Sequence, residues 1–172
     1  FSQATITLDL WRSLDDWRPI LNGVRLEGAH LALESKGDGA LRLLDEAGDA
    51  ETATALSNFA HWLFSLPRLE IVGEQWAVRR PGGFSLHLLH PYLQLQEVGD
   101  GQRLNFTAQL PDGLGDRIEL TVERPKQNGV DPVQAVGQFA FRANRLDLAG
   151  WPLPLKFAAG RAAFELNGDW QN

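Results

Sequence analysis

The chain has 172 residues, a length typical of one domain. It contains no cysteine, which excludes disulfides, zinc–thiolate sites, iron–sulfur clusters and cysteine nucleophiles. Its 16 basic and 22 acidic residues give a net charge of −6, which argues against binding to a nucleic-acid backbone because that requires clustered lysine and arginine. No apolar run approaches the roughly 20 residues of a membrane span. With no methionine to initiate it, the chain is expected to be a piece of a longer protein.

Apolar and polar residues alternate along most of the chain. The segments Leu104–Leu110 and Ile118–Val122 carry apolar residues at every even position. Such alternation predicts strands with one apolar face, as in antiparallel sheets, and glycine-containing turns about once per strand predict an up-and-down meander. The strands predicted in chain order are Thr5–Leu10, Val24–Glu34, Ala40–Leu44, Leu69–Val72, Gln75–Arg79, Phe84–Gln96, Leu104–Leu110, Ile118–Val122, Gln138–Arg142 and Ala162–Leu166.

Two of these strands change phase midway. The apolar set of the second strand moves from even to odd positions across Gly28, and that of Phe84–Gln96 moves across His90-Pro91. A glycine or proline at a phase change predicts a bulge or bend, because strand pairing must break there.

Two segments carry helical signals. In Glu51–Ser65 the apolar residues recur at spacings of three and four, and Pro67 ends the pattern, which predicts the main helix. A second, shorter helix is predicted at Ser13–Leu21, with Ser13 as its N-cap.

A short motif occurs twice. Leu8-Asp9-Leu10 is followed by Trp17, and Leu146-Asp147-Leu148 is followed by Trp151. If this is a structural repeat, residues 1–172 form a single β-rich segment of a larger repetitive protein, and 146–172 is the start of the next unit.

The apolar face of the predicted sheet is larger than the predicted helix. About eight strands spaced ~4.8 Å apart present an apolar face of roughly 750 Å². A helix of fifteen residues covers only about 220 Å² of it. Either the sheet folds onto itself as a sandwich or barrel, or it curls into an open trough whose apolar lining is the working surface.

No catalytic or metal-binding pattern is found. His87 and His90 are three apart, a spacing that places them on opposite faces of a strand, and Asp112 and Asp116 flank a turn where aspartate is expected for backbone reasons. We therefore expect a protein that is not an enzyme and has no cofactor. The tryptophans are scattered singly, which favours structural anchors over a sugar-stacking platform: Trp11, Trp17, Trp62, Trp76, Trp151 and Trp170.

Four segments carry a family resemblance. Trp62–Ile71 passes from a helix end through Pro-Arg into a strand, and Val24–Leu31, Ala108–Gly115 and Leu146–Pro152 fit the same family. Over roughly Thr5 to Trp170 the chain resembles the AsmA-like superfamily, in particular its YhdP branch.

The resemblance implies a large protein anchored in the inner membrane of Gram-negative bacteria, with its remainder in the periplasm. It implies repeated β-rich units that form a long groove with an apolar lining, and a role in moving phospholipid and maintaining the outer-membrane barrier. The present chain would be an internal, non-catalytic segment. Its partners would be phospholipid acyl chains and the rest of the parent chain.

An amphipathic sheet with too little helix to cover it is what a lipid trough requires. The fold expected is therefore a mainly β (α+β), antiparallel curved sheet forming an open groove, with one main helix. The residues expected to line the groove are Leu104, Phe106, Ile118, Leu120, Val122, Phe139, Phe141, Phe164 and Leu166. Arginine at Phe106 or Leu120 is expected to impair lipid passage while leaving the fold intact. The alternative is a β-sandwich module that binds a carbohydrate or a protein partner.

Overall fold

A computed structural model describes residues 1–15, 17, 20–35, 41–44, 65–79, 83, 85–125, 137–151 and 160–170. Its elements are β1 (Gln3–Leu8), α1 (Leu10–Asp15), β2 (Leu21–Ser35), β3 (Leu41–Leu44), β4 (Arg68–Arg79), β5 (Ser85–Val98), β6 (Gly101–Gln109), β7 (Arg117–Pro125), β8 (Gly137–Asp147) and β9 (Arg161–Trp170). The predicted helix Glu51–Ser65 lies, except for its last residue, outside the described residues.

All the described strands belong to one open sheet. Their order is β1-β2-β4-β5-β6-β7-β8-β9, and β3 pairs with β2 beyond the end of β1. Since β1 and β9 lie at opposite edges, the sheet is not closed into a barrel. The predicted mainly β, open-sheet fold is confirmed, and within the described ranges no second sheet packs against the first as in a sandwich.

One strand pair departs from the predicted meander. From β4 to β9 each strand pairs antiparallel with the next, but β2 and β4 are parallel, with Val24 opposite Leu69. A parallel pair cannot be joined by a tight turn, so the connection between β2 and β4 must be longer than a hairpin turn. The meander prediction is therefore right for the second part of the chain and wrong for its start.

Two boundaries also differ from prediction. The segments Leu69–Val72 and Gln75–Arg79 are parts of the single strand β4. The short helix spans Leu10–Asp15 and not Ser13–Leu21, because the Asp9 carboxylate caps it by accepting the backbone N–H of Arg12 at 3.1 Å.

The register of the strands aligns their apolar residues in rows. Residues directly opposite each other on neighbouring strands share a face of the sheet. We call two such sets the apolar rows. The first row is Ile6, Val24, Leu69, Leu95, Leu104, Val122, Phe139 and Gly168, and the second is Ala4, Leu26, Ile71, Leu93, Phe106, Leu120, Phe141 and Leu166. Both rows cross eight strands without a polar side chain. We call this side of the sheet the apolar face and the opposite side the polar face.

Three adjacent strands change phase at the same level of the sheet. The register of β2 shifts at Gly28, which has φ +64°, and that of β5 shifts at His90, which has φ +47°, so both predicted bends are confirmed. Between these strands β4 changes phase at Gly73. The indole of Trp76 crosses over Gly73 and donates a hydrogen bond of 3.0 Å to the carbonyl of Ala29. Beyond the bends, the apolar residues of all three strands therefore return to the apolar face.

Replacing Gly73 by Ala is expected to destabilise the fold by about 2 kcal/mol, a typical cost of overpacking. A methyl group there would lie 2.5 Å from the Trp76 indole nitrogen and 2.8 Å from the Ala29 carbonyl oxygen. Urea unfolding measures the change, and Gly160→Ala is the matched control, because a methyl group at Gly160 meets open space. Equal unfolding midpoints for the two variants would contradict the close packing at Gly73.

Candidate functional site

The structure places all nine predicted lining residues on the apolar face. Six of them belong to the two apolar rows on β6, β7 and β8, and Leu166 ends the second row on β9. The other two lie in a third row, in which Ile118 and Phe164 both pair with Ala143. Strict alternation within each strand was sufficient to predict this common face.

The nine residues differ in what they contact. Leu104, Phe106 and Ile118 pack against the buried core, and the ring of Phe106 stacks on Trp76 with centroids 5.6 Å apart. Phe164 and Leu166 on β9 are instead 49% and 47% exposed. The expectation that Phe106 tolerates arginine is therefore not supported by its packing, since a charge there would enter the core.

Burial along the apolar rows is greatest at the centre of the sheet. Leu69 and Leu95, on β4 and β5, are fully buried, and Leu66 just before β4 is buried in the same cluster. Towards β8 the residues are half-buried, and the rings of Phe141 and Phe164 pack in a tilted contact with centroids 6.3 Å apart. The apolar face is thus covered at β4 and β5 and open at both edges, at β1, where Ile6 is 61% exposed, and at β9.

A polar pair ends the apolar face at one side. Gln102 and Arg124 are direct partners on β6 and β7, and they follow the same alternation as the apolar rows. The buried Gln102 amide donates to the Leu66 carbonyl at 3.3 Å, and its oxygen accepts two hydrogen bonds from the Arg124 guanidinium, at 2.6 and 3.1 Å. Burial lowers the pKa of Arg124. Sequence reasoning missed this pair, although both residues stand at even positions that are otherwise apolar.

The polar face is held by charged side chains on neighbouring strands. Glu70 has only a tenth of its side chain exposed and accepts hydrogen bonds from Arg68 at 2.6 Å and from Arg25 at 2.9 Å. These contacts, that of Arg68 above all, hold the pKa of Glu70 below its usual value against the opposing effect of burial. Further ion pairs on this face join Arg103 to Glu123, Arg117 to Glu119 and Arg142 to Glu165.

Two cavities, of about 460 and 450 Å³, lie mainly on the polar face, the first between the ends of β5 to β9 and the second on β7, β8 and β9. Both are lined by Glu123, Gln138 and Asp169, which are direct partners across these strands. Their walls carry carboxylate and amide groups, joined by Arg103 and Arg124 in the first cavity and by Thr121 and the Phe139 ring in the second, so they suit a ligand with polar groups. The apolar face offers an open surface rather than an enclosed pocket at its β9 side.

The other residues considered for chemistry do not converge. His87 contacts Gln75 and His90 contacts Gln109, and across the described ranges no group of three or more His, Asp or Glu side chains could hold a metal ion. No helix among the described residues is long and apolar enough to cross a membrane.

The tryptophans divide into two groups. Trp76 is buried, and Trp151 donates its indole N–H to the Leu114 carbonyl at 2.8 Å, so both act as the predicted anchors. Trp11 and Trp17 are 81% and 93% exposed and anchor nothing within the described chain. Trp62 and the side chain of Trp170 lie outside the described positions.

Truncating Phe106 to Ala is expected to cost about 3 kcal/mol of unfolding free energy, because it removes a ring packed on Trp76 and the core. The same truncation at Phe164 is expected to cost no more than about 1 kcal/mol, since half of that ring already meets water. Urea unfolding of the two variants makes the comparison. Equal losses would show that the β9 side of the apolar face is closed core.

Replacing Glu70 by Gln is expected to lower the unfolding free energy at neutral pH by about 2 kcal/mol, because charge-assisted hydrogen bonds to Arg68 and Arg25 are lost. The pKa of Glu70 is lower in the folded state than in the unfolded state. The ionised carboxylate therefore stabilises the folded protein at pH values above the unfolded-state pKa, and this stabilisation is lost as the pH falls through the folded-state pKa. On acidification below about pH 4.5 the wild type should therefore lose more stability than Glu70→Gln.

Urea unfolding from neutral to acidic pH measures this difference. Glu123→Gln is the control, because its ion pair with Arg103 is exposed and is expected to contribute about 0.5 kcal/mol or less. Parallel pH profiles for the wild type and Glu70→Gln would contradict the role assigned to Glu70.

Comparison with known proteins returns no match: no family model, curated protein or solved structure matches the chain. What the molecule does must therefore be inferred from the two faces of its sheet and from the side chains on them.

Proposed function

We propose that this chain is a non-catalytic segment of a periplasmic lipid-transport bridge, in which acyl chains of phospholipid lie on the open side of the apolar face. The observation that carries the proposal is the pair of apolar rows, which cross eight strands in register and emerge from the core at β8 and β9. The resemblance to the AsmA-like superfamily supports the same function.

The energetics of the β9 side favour an acyl chain as ligand. Phe164 and Leu166 each leave about half of their surface in water. Covering apolar surface of this kind gains about 25 cal/mol for each Å² removed from water. Such a gain needs no directed hydrogen bond, so a lipid chain would be held without being fixed at one position. That property suits passage along a surface better than capture at a site.

The end of the apolar face that carries Arg124 suits a lipid head group. A phosphate placed there would meet the Arg124 guanidinium, which already binds Gln102, beside the first apolar row, and charge-assisted hydrogen bonds between these groups are strong. The acyl chains would then extend from Arg124 along the strand direction, over the two apolar rows.

A second candidate function is the binding of a polar ligand such as a carbohydrate. The two cavities on the polar face, with their carboxylate and amide walls, favour it. Sugar sites usually add an aromatic ring on which a sugar can stack. The second cavity has the ring of Phe139 in its wall, and neither cavity is lined by a tryptophan or tyrosine among the described residues.

Leu166→Arg tests the proposal, with Asn167→Arg as matched control. The two residues are neighbours on β9, both are exposed, and they lie on opposite faces of the sheet. The arginine at Leu166 is expected to weaken phospholipid binding to the purified chain about thirtyfold, because a charge on a lipid-facing strand position costs roughly 2 kcal/mol. The same change at Asn167 is expected to leave bound phospholipid unchanged.

Bound phospholipid is measured by solvent extraction and mass spectrometry, and circular dichroism establishes that both variants fold. The absence of phospholipid from the folded wild-type chain, or equal losses in the two variants, would overturn the proposal. Binding of an oligosaccharide that is lost on Glu123→Gln would instead support the polar-ligand function.

A further inference from the structure

The two outer strand pairs of the sheet share a local design. In β1–β2 and in β8–β9, a Leu-Asp-Leu motif ends the first strand. The carboxylate of Asp9 accepts the Arg12 N–H, and that of Asp147 accepts the Ala149 N–H, both at 3.1 Å. A backbone hydrogen bond closes each connection, from Asp9 N to Ile20 O at 2.9 Å and from Leu148 N to Gly160 O at 3.1 Å. Each connection also carries a tryptophan, Trp17 in the first and Trp151 in the second.

The β8–β9 connection is docked on the β6–β7 turn, residues 110–116. Trp151 donates its indole N–H to the Leu114 carbonyl at 2.8 Å, and the Asp147 backbone N–H donates to the same oxygen at 3.1 Å. Gly150 lies so close to the Gly113 carbonyl that a Cβ atom would not fit between them. Leu114 and Trp151 both pack against the core. This contact is therefore a built interface between a strand connection and a hairpin turn.

The β1–β2 connection carries the same motif and a tryptophan but continues into the helix α1, and among the described residues its tip packs against no other element. Trp17 is 93% exposed and Trp11 81%, and Leu10 and Leu14 are exposed beside them. The adjoining strand β1 pairs with β2 alone among the described strands. Charged residues and proline usually protect an edge strand from pairing with another strand. The sequence of β1, Gln-Ala-Thr-Ile-Thr-Leu, contains neither.

We propose that β1 and the tip formed by Leu10, Trp11, Leu14 and Trp17 are a docking site for a β-hairpin of the β6–β7 kind. The second strand of the incoming hairpin pairs with the free edge of β1, in the same way as β7 pairs with β8. Its glycine-containing turn packs against the tip, in the same way as residues 110–116 pack against Trp151. The indole N–H of Trp17 then donates to a backbone carbonyl of the turn. Strand addition of this type is a common mode of protein recognition. The proposal does not depend on lipid binding.

A second copy of the chain does not supply this hairpin in its native state, because its β6–β7 turn already holds Trp151 and its β7 already pairs with β8. The occupant is therefore a hairpin from another polypeptide segment. The sequence Gly101–Pro125 can serve as its stand-in, cyclised through a D-Pro-Gly linker that keeps the two strands paired.

The test measures binding of this fluorescently labelled cyclic peptide to the whole chain by anisotropy. Saturable binding to the wild type is expected, with a loss of affinity of about tenfold or more in Trp17→Ala, since buried tryptophans dominate binding at interfaces. Phe164→Ala, at the opposite edge of the sheet, is the control and should bind like the wild type. In hydrogen exchange the peptide should protect the backbone amides of Gln3–Leu8.

Three results would overturn the proposal. One is the absence of peptide binding to the folded wild-type chain. Another is binding that Trp17→Ala leaves unchanged, or that protects β9 instead of β1. The third is binding of the chain to phosphatidylcholine vesicles that is lost in Trp17→Ala and that the peptide does not inhibit. The tip would then be a membrane contact. Circular dichroism of Trp17→Ala should match the wild type, because that side chain is almost wholly in solvent.

Discussion

The register of the strands is the constraint on which the rest of this structure depends. Each strand alternates between apolar and polar residues, so a slip of one residue would move its whole apolar set to the polar face. The two apolar rows show that no such slip occurs over eight strands. Where β2, β4 and β5 change phase they do so together, at Gly28, Gly73 and His90, and Trp76 bonds across the bend to the Ala29 carbonyl. One apolar face and one polar face follow from this coordination.

The strands and two of the three bends could be predicted from the sequence because alternation and its interruption are local patterns. Gly28 and His90-Pro91 each stand between two apolar sets of opposite phase. At Gly73 the same signal predicts a gap between two strands, since nothing local shows that β4 continues. The parallel pairing of β2 with β4 could not be predicted either, because the direction in which two strands pair is not encoded in either strand's own alternation.

The candidate site was predictable in its face but not in its burial. Alternation places Phe106 and Phe164 on the same side, yet one stacks on Trp76 and the other is half in solvent, because their burial depends on which elements pack over each strand. The polar pair of Gln102 and Arg124 was missed for a related reason: a polar residue in phase with apolar ones is tolerated only where partners such as the Leu66 carbonyl satisfy it. An open apolar side beside a solvated, ion-paired side is the arrangement that the proposed lipid surface needs.

The most direct test of this account is to map where a phospholipid touches the sheet. The purified chain is loaded with phospholipid that carries a photoreactive diazirine near the end of one acyl chain, and the labelled residues are identified by mass spectrometry after irradiation. The account predicts labels on apolar-face residues of β8 and β9, namely Phe139, Phe141, Phe164 and Leu166, and few on their polar-face neighbours Gln138, Ala140 and Asn167. Labels concentrated on the polar-face neighbours, or spread equally over both faces, would contradict it.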